Sequence, residues 1–157
     1  MKKILILSLI ICLFGCVQKS DDYVNDAIGN LYIKSYEILI EKQYDGDESE
    51  VLESKYDNLV SEFQNEFADG TFVKYSEYAR ELMTINTIKE NDDIKTLAVD
   101  NIEINETGEK QYSYTITLLV NDTSQEISQG MIRFDKNHKI EYFKITKIPS
   151  YVDIPGN

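Results

Sequence analysis

Cysteine, histidine and tryptophan are scarce in this chain of 157 residues, which has two cysteines, one histidine and no tryptophan. A histidine-dependent triad or zinc site therefore has almost no members to draw on. The single histidine, His138, lies in the turn-like stretch DKNH, where we expect it to be solvated. The chain also lacks a glycine-flanked serine elbow and a glycine-rich phosphate loop. The sequence thus predicts no catalytic set and no cofactor.

Two acidic clusters are the remaining candidates for a metal site. They are residues 45–48 (DGDE) and residues 91–93 (NDD). Neither has the twelve-residue spacing of a calcium-binding loop. We interpret both as loop carboxylates in water and expect no metal site.

Basic residues are outnumbered, with 16 Lys and Arg against 28 Asp and Glu, and the formal net charge is -12. A domain of this charge repels polyanions and anionic lipid headgroups, so we expect no nucleic-acid partner. The acidity is most simply a solubility device. The alternative is that the negative charge serves to bind a cationic partner.

No apolar run in the chain has the length of a membrane-spanning helix. The longest one, residues 4–14, is interrupted only by Ser8. It follows two lysines, is too short to span a bilayer as a helix, and has the length of the apolar region of a secretion signal. The run leads into residues 13–16 (LFGC), which resemble the lipobox of bacterial lipoproteins. This resemblance implies cleavage before Cys16, acylation of its thiol and export.

The lipobox resemblance also implies how the chain is divided and where it is found. Residues 1–15 would be a removed signal peptide, and residues 16–22 would form the lipidated Cys16 with a short tether. The first partner is then a membrane, reached through the lipid anchor at Cys16. The location is the cell membrane or the outer membrane, outside the cytoplasm. Cys12 would be removed with the signal, so no disulfide is expected.

Helical periodicity dominates the chain up to about residue 84. Apolar residues spaced as on one helical face predict a first helix from residue 21 or 22 to about 44 and a second from about 47 to 67. Asp47 and Glu50 have the spacing of a capping box at the start of the second helix. A third, shorter helix is predicted between residues 71 and 84.

Strand-like alternation replaces the helical period from residue 97. Four antiparallel strands are predicted, over residues 97–104, 112–120, 126–134 and 140–147. The alternation slips at Asp100 and Asn101, which predicts a bulge in the first strand. The tail, residues 149–157, holds both prolines and is expected to be irregular. Helices followed by a strand meander predict one α+β domain over residues 23–148, in which two to three N-terminal helices pack on a curved antiparallel sheet of about four strands.

Three segments of the second half resemble the nuclear transport factor two-like superfamily, which has a cone-shaped fold. They are residues 111–122 (QYSYTITLLVND), the short strand at residues 130–134 and residues 138–146 (HKIEYFKIT). The resemblance implies a pocket between the helices and a concave sheet. For the aromatic cluster of Phe72, Tyr75 and Tyr78, packing in the core is favoured over contact with a ligand. The candidate lining residues of such a pocket are Phe63, Tyr75, Tyr78, Tyr114 and Ile132.

Three classes of function remain open from the sequence. The leading one is a membrane-anchored, exported lipoprotein whose domain is a non-catalytic interaction module of the cell envelope, with another envelope protein as partner. The second is a small-ligand carrier with a cone-shaped pocket, and the third is a small enzyme of the same fold. A filled space between Phe63, Tyr75, Tyr114 and Ile132 would favour interaction, whereas a hollow one would favour ligand binding or catalysis.

Overall fold

The computed structural model describes residues 22–86 and 94–150. The signal segment 1–15, Cys16 with most of its tether, the acidic cluster 91–93 and most of the tail lie outside these residues. The described parts contain three α-helices and four strands: α1 Asp22–Tyr36, α2 Glu48–Phe63, α3 Glu77–Ile85, β1 Leu97–Gly108, β2 Gln111–Val120, β3 Ser124–Phe134 and β4 Ile140–Lys147.

Helix α1 is shorter than predicted and is followed by a single π-helical turn, Glu37–Glu41. Lys42 then adopts an extended conformation, so the helix predicted to reach residue 44 ends early. We attribute the distortion to Ser35, which is buried and donates its hydroxyl to the carbonyl oxygens of Leu31 and Tyr32. A serine that bonds to the preceding turn competes with the backbone ladder and bends a helix.

Helix α2 begins with the predicted capping box. The Asp47 carboxylate accepts hydrogen bonds from two N–H groups of the first turn, and the Glu50 carboxylate accepts one from the Asp47 N–H. Such a cap stabilises a helix by about 1 kcal/mol. The helix ends at Phe63 rather than Phe67, because the chain turns there and Phe67 forms a parallel bridge with Ile140 of β4.

Helix α3 begins later than predicted, at Glu77. Its cap is Ser76, whose hydroxyl accepts a hydrogen bond from the N–H of Ala79. Tyr75 has a φ of 62°, a left-handed value that a right-handed helix cannot include. The loop before it is still part of the core, because Phe72 is buried there.

The four strands form an open antiparallel sheet in the order β1-β2-β3-β4. The predicted bulge is confirmed, because the register of β1 against β2 shifts between Val99 and Asn101 and leaves Asp100 unpaired. Strand β1 runs to Gly108, past its predicted end, and Lys110 makes the turn with a φ of 52°. The predicted alternation of β2 is also confirmed, with five buried inward side chains: Tyr112, Tyr114, Ile116, Leu118 and Val120.

The hydrophobic core lies between the helices and one face of the sheet. Burying a large apolar side chain there contributes roughly 1.5–3 kcal/mol relative to leaving it exposed. The arrangement of a helical layer on an antiparallel sheet confirms the predicted α+β fold. The largest fully buried side chains come from both layers and are Tyr32, Phe63, Phe72, Phe143, Ile28, Leu31, Leu59, Leu82, Ile85, Ile116, Leu118 and Ile132.

Candidate functional site

Three of the five residues predicted to line a pocket lie together in the hydrophobic core. Phe63, Tyr114 and Ile132 are 1%, 3% and 0% exposed and belong to one cluster of buried side chains. Tyr78 packs at the border of this cluster, and its hydroxyl donates to a backbone carbonyl of β4 at 3.0 Å. Tyr75 is 49% exposed and is not grouped with the others. Phe63, Tyr114 and Ile132 are therefore core side chains.

A buried chain of hydroxyl groups crosses the interface between α1 and the sheet. The Tyr114 hydroxyl lies 3.2 Å from that of Tyr32, which lies 2.6 Å from the Ser128 hydroxyl. Ser128 donates its proton to the Lys147 carbonyl oxygen at 2.7 Å. Tyr32 therefore donates to Ser128, and Tyr114 donates to Tyr32. Every hydroxyl of the chain has a partner, as buried polar groups require.

Burial makes these two tyrosines weak acids. Desolvation raises the pKa of Tyr32 to about 12, against an ordinary value of 10.0. Desolvation and the neighbouring Tyr32 raise the pKa of Tyr114 well above the same value. A general base or nucleophile needs a pKa nearer the working pH. The hydroxyl chain is therefore a neutral structural element.

The absence of a side chain at Gly130 leaves space for the Tyr114 side chain. The sequence did not identify this position as a functional one. Gly130 pairs with Tyr114 across β2 and β3, and a Cβ on Gly130 would lie less than 3.0 Å from the Tyr114 hydroxyl and from the Lys144 carbonyl oxygen. A glycine inside a strand often marks such a close approach, which was the available signal. Tyr32 and Ser128 carry no comparable signal, because such residues are common on helices and strands.

The other polar candidates from the sequence that the structure describes are His138 and the acidic cluster at residues 45–48. His138 is exposed in the β3–β4 turn, and its ring stacks on Tyr23 with 4.3 Å between centroids. In the acidic cluster 45–48, Asp47 caps α2. Within residues 22–86 and 94–150, no three His, Cys, Asp or Glu side chains converge so that they could hold a metal ion.

The charge is divided unevenly between the two layers. Residues 22–86, which form the helices and their loops, hold 15 acidic and 5 basic residues, a net charge of -10. Residues 94–150, which form the sheet, hold 8 acidic and 7 basic residues, a net charge of -1. Most of the negative charge of the described residues therefore lies in the helical layer, to which α1 belongs.

The outer edge of β4 is covered by the helical layer. The N–H of Ile140 donates to the Glu66 carbonyl oxygen at 2.9 Å, and the N–H of Ile145 donates to the Glu81 carboxylate at 2.6 Å. Tyr78 bonds to the carbonyl between these two positions. These contacts use the backbone groups through which another strand would pair.

The outer edge of β1 differs, because no strand or isolated bridge pairs with it in the described residues. Residues 101–106 pair without interruption with β2, so this part of β1 is regular. Beside it lies a groove of about 350 Å³ between the helix and the strand, called here the α1–β1 groove. Its walls include Asn25, Asp26, Gly29, Ile33, Val99 and Ile102.

A second groove, of about 440 Å³, crosses the sheet face that points away from the helices. It is an open depression with a mixed polar and apolar lining and one charged residue, Glu103, and its floor includes Ser113, Thr115 and Gln129. Polar side chains alternate with buried ones along these strands, so this face is solvated.

None of the helices described has the length and apolar character needed to cross a membrane. Comparisons with protein-family models, with curated proteins and with solved structures found no match for this chain.

Proposed function

We propose that this chain is an exported lipoprotein, held at a membrane by acylated Cys16, whose domain is a non-catalytic interaction module of the cell envelope. The observation that carries the proposal is the N-terminal pattern of two lysines, an apolar run and the residues LFGC. A lipid anchor at Cys16 places the domain beside the membrane, on a tether of a few residues that reaches roughly 3.3 Å each.

The contents of the core support binding over catalysis. Three buried polar residues at the interface of α1 and the sheet, Tyr32, Tyr114 and Ser128, bond to one another and to a backbone carbonyl. Their phenols are protonated at physiological pH, as an ordinary tyrosine is, and burial raises the pKa of both tyrosines further away from that range. Such groups fix the position of α1 on the sheet, and the free surface of the domain remains for a partner.

A small-ligand carrier is the second candidate. The groove of about 440 Å³ on the outer sheet face has a volume in the range of ligand sites. It ranks second because a ligand site is usually an enclosed, concave pocket, whereas this groove lies open across a solvated sheet face.

The anchor is tested by exchanging each of the two cysteines for serine in the producing cell. A clickable palmitate analogue should label the wild type and Cys12→Ser, and both should sediment with membranes. Cys16→Ser should lose the label and move to the soluble fraction, because it has no thiol to acylate. Cys12→Ser is the matched control, since this thiol would be removed with the signal. A labelled Cys16→Ser chain, or an unlabelled wild type, contradicts the proposal.

A further inference from the structure

We propose that the outer edge of β1, with which no strand pairs in the described residues, binds an extended, basic segment of a partner protein together with the α1–β1 groove. The segment adds to the sheet as a fifth strand. This inference rests on the proposed function, because it identifies the surface through which the interaction module works. In strand addition, main-chain hydrogen bonds supply affinity and pockets for alternate side chains supply specificity. The β1 edge and the groove beside it offer both.

The difference between the two edges is the first argument. Contacts from Glu66, Tyr78 and Glu81 cover the β4 edge, so the fold protects one edge of its sheet with dedicated groups. Strand β1 has twelve residues, and in the described residues its outer edge has no paired strand. Its regular part, residues 101–106, is long enough for a strand of usual length.

Gly29 is the second argument, because the fold does not need a glycine there. Gly29 lies inside α1, where glycine is destabilising relative to alanine. A Cβ at this position would lie 3.7 Å from Ile102 and 3.8 Å from Val99, which are ordinary contact distances. Alanine would therefore fit and favour the helix. The effect of the glycine is to keep the α1–β1 groove open.

The third argument concerns the side-chain oxygen of Asn25, a residue at the wall of the groove. This oxygen is buried and has no hydrogen-bond partner among the residues that the structure describes. Buried polar atoms are rarely left without a partner. Because this oxygen is shielded from solvent, an N–H or ammonium group of a bound segment would reach it only after the Asn25 side chain turns toward the groove.

The charge of the edge selects the partner. Strand β1 contains Asp100, Glu103 and Glu106 and no basic residue, and Asp26 adds a further carboxylate at the groove. Like charges placed opposite each other destabilise a strand pair, so a second copy of β1 is a poor occupant. A segment with lysine or arginine at its ends and alternate positions is complementary to this edge.

The side-chain alternation of an added strand defines the rest of the motif. Successive side chains of a strand point to opposite faces, so every second side chain would enter the α1–β1 groove. The apolar walls formed by Ile33, Val99 and Ile102 favour valine or isoleucine there. The intervening side chains would lie on the outer face beside Glu103, where basic residues are favoured. The expected segment alternates apolar and basic residues.

The binding test uses fluorescent peptides of about seven residues, the length of an ordinary strand, and the full chain in detergent. The first peptide alternates lysine and valine, the second alternates glutamate and valine, and the third is the first with N-methylated alternate amides. We expect saturable binding of the lysine peptide and at least tenfold weaker binding of the other two. Raising the salt from about 0.1 M to 1 M should slow its association, because the Debye length falls from about 10 Å to 3 Å.

Two variants place the peptide on the molecule. Gly29→Leu fills the groove with a good helix former, and we expect at least tenfold weaker binding with unfolding at an unchanged or higher temperature. Ser61→Leu puts the same side chain on the exposed side of α2 and should bind like the wild type. Sedimentation of the unliganded chain should show a monomer.

Four results would overturn the inference. The first two are equal affinity of the lysine peptide for Gly29→Leu and for the wild type, and equal affinity of the N-methylated and unmethylated lysine peptides for the wild type. The third is a dimer of the unliganded chain that Gly29→Leu dissociates. The fourth is the absence of saturable binding of the lysine peptide to the full chain. The last includes the case in which another part of this chain fills the groove. Photo-crosslinking residues placed at Ile33 and Gln129 in cells separate this failure from failure of the proposed function. Crosslinks at Gln129 alone leave an interaction module without this site, whereas crosslinks at neither position contradict the module itself.

Discussion

Replacing Gly130 with alanine should destabilise the protein strongly, although the change adds only one methyl group. The new Cβ would lie within 3.0 Å of the Tyr114 hydroxyl and of the Lys144 carbonyl oxygen. The carbonyl belongs to β4, which is held in the ladder with β3, so it cannot move without breaking strand pairing. The Tyr114 ring is buried and packs against the rings of Tyr32 and Phe143, which restrict its movement.

The size of the effect follows from two contributions. Overpacking a core by one methyl group costs about 1–3 kcal/mol. Displacing the Tyr114 hydroxyl also weakens its hydrogen bond to Tyr32, which contributes about 0.5–1.5 kcal/mol. We expect Gly130→Ala to lower the free energy of unfolding by about 2–4 kcal/mol, or the melting temperature by roughly 6–15 °C for a domain of this size.

The assay is urea unfolding followed by circular dichroism, with Gly108→Ala as the matched control. Gly108 also lies in a strand, but its nearest neighbour to a new Cβ is Gln111 at 3.7 Å, an ordinary contact. Gly108→Ala should therefore change the stability by less than about 1 kcal/mol. If Gly130→Ala is as stable as this control, the proposed close approach of Tyr114 to β3 is wrong.

Two further predictions concern the same core. Leu118 is fully buried in β2, so Leu118→Ala should lower the free energy of unfolding by about 2–5 kcal/mol, measured by urea titration. A change below about 1 kcal/mol would mean that its side chain does not pack in the core. Folding raises the pKa of Tyr32 from 10.0 to about 12. The contribution of its protonated phenol to the free energy of unfolding is therefore complete below pH 10 and is lost as the pH rises through 12. Wild type should lose roughly 2–3 kcal/mol more than Tyr32→Phe across this interval, and equal losses would contradict burial of the phenol.

Elements with local signals could be predicted from the sequence. The start of α2 was predictable because Asp47 and Glu50 satisfy each other's backbone amides without help from the rest of the fold. Strand β2 was predictable because its alternation follows directly from one buried and one exposed face. The bulge at Asp100 was visible as a slip in that alternation.

Features that depend on distant contacts could not be predicted. The early end of α1 depends on the buried Ser35, and the late start of α3 depends on the left-handed Tyr75. Periodicity also does not distinguish a core aromatic residue from one that lines a cavity, so Phe63 and Tyr114 were possible in either role. The cover of the β4 edge depends on Glu81, whose carboxylate is brought there by packing.

The hydroxyl chain of Tyr32 has a consequence for the time at which the protein can fold. Its partners Tyr114 and Ser128 follow it by 82 and 96 residues, so α1 cannot settle on its site until nearly the whole chain has been made. Closing such distant contacts is slow, and a shorter nascent chain has no core in which to bury the apolar face of its helices. If the chain is exported as proposed, it would reach the secretion machinery in an unfolded state. Completion of β3 then serves as the step that permits the helical layer to assemble.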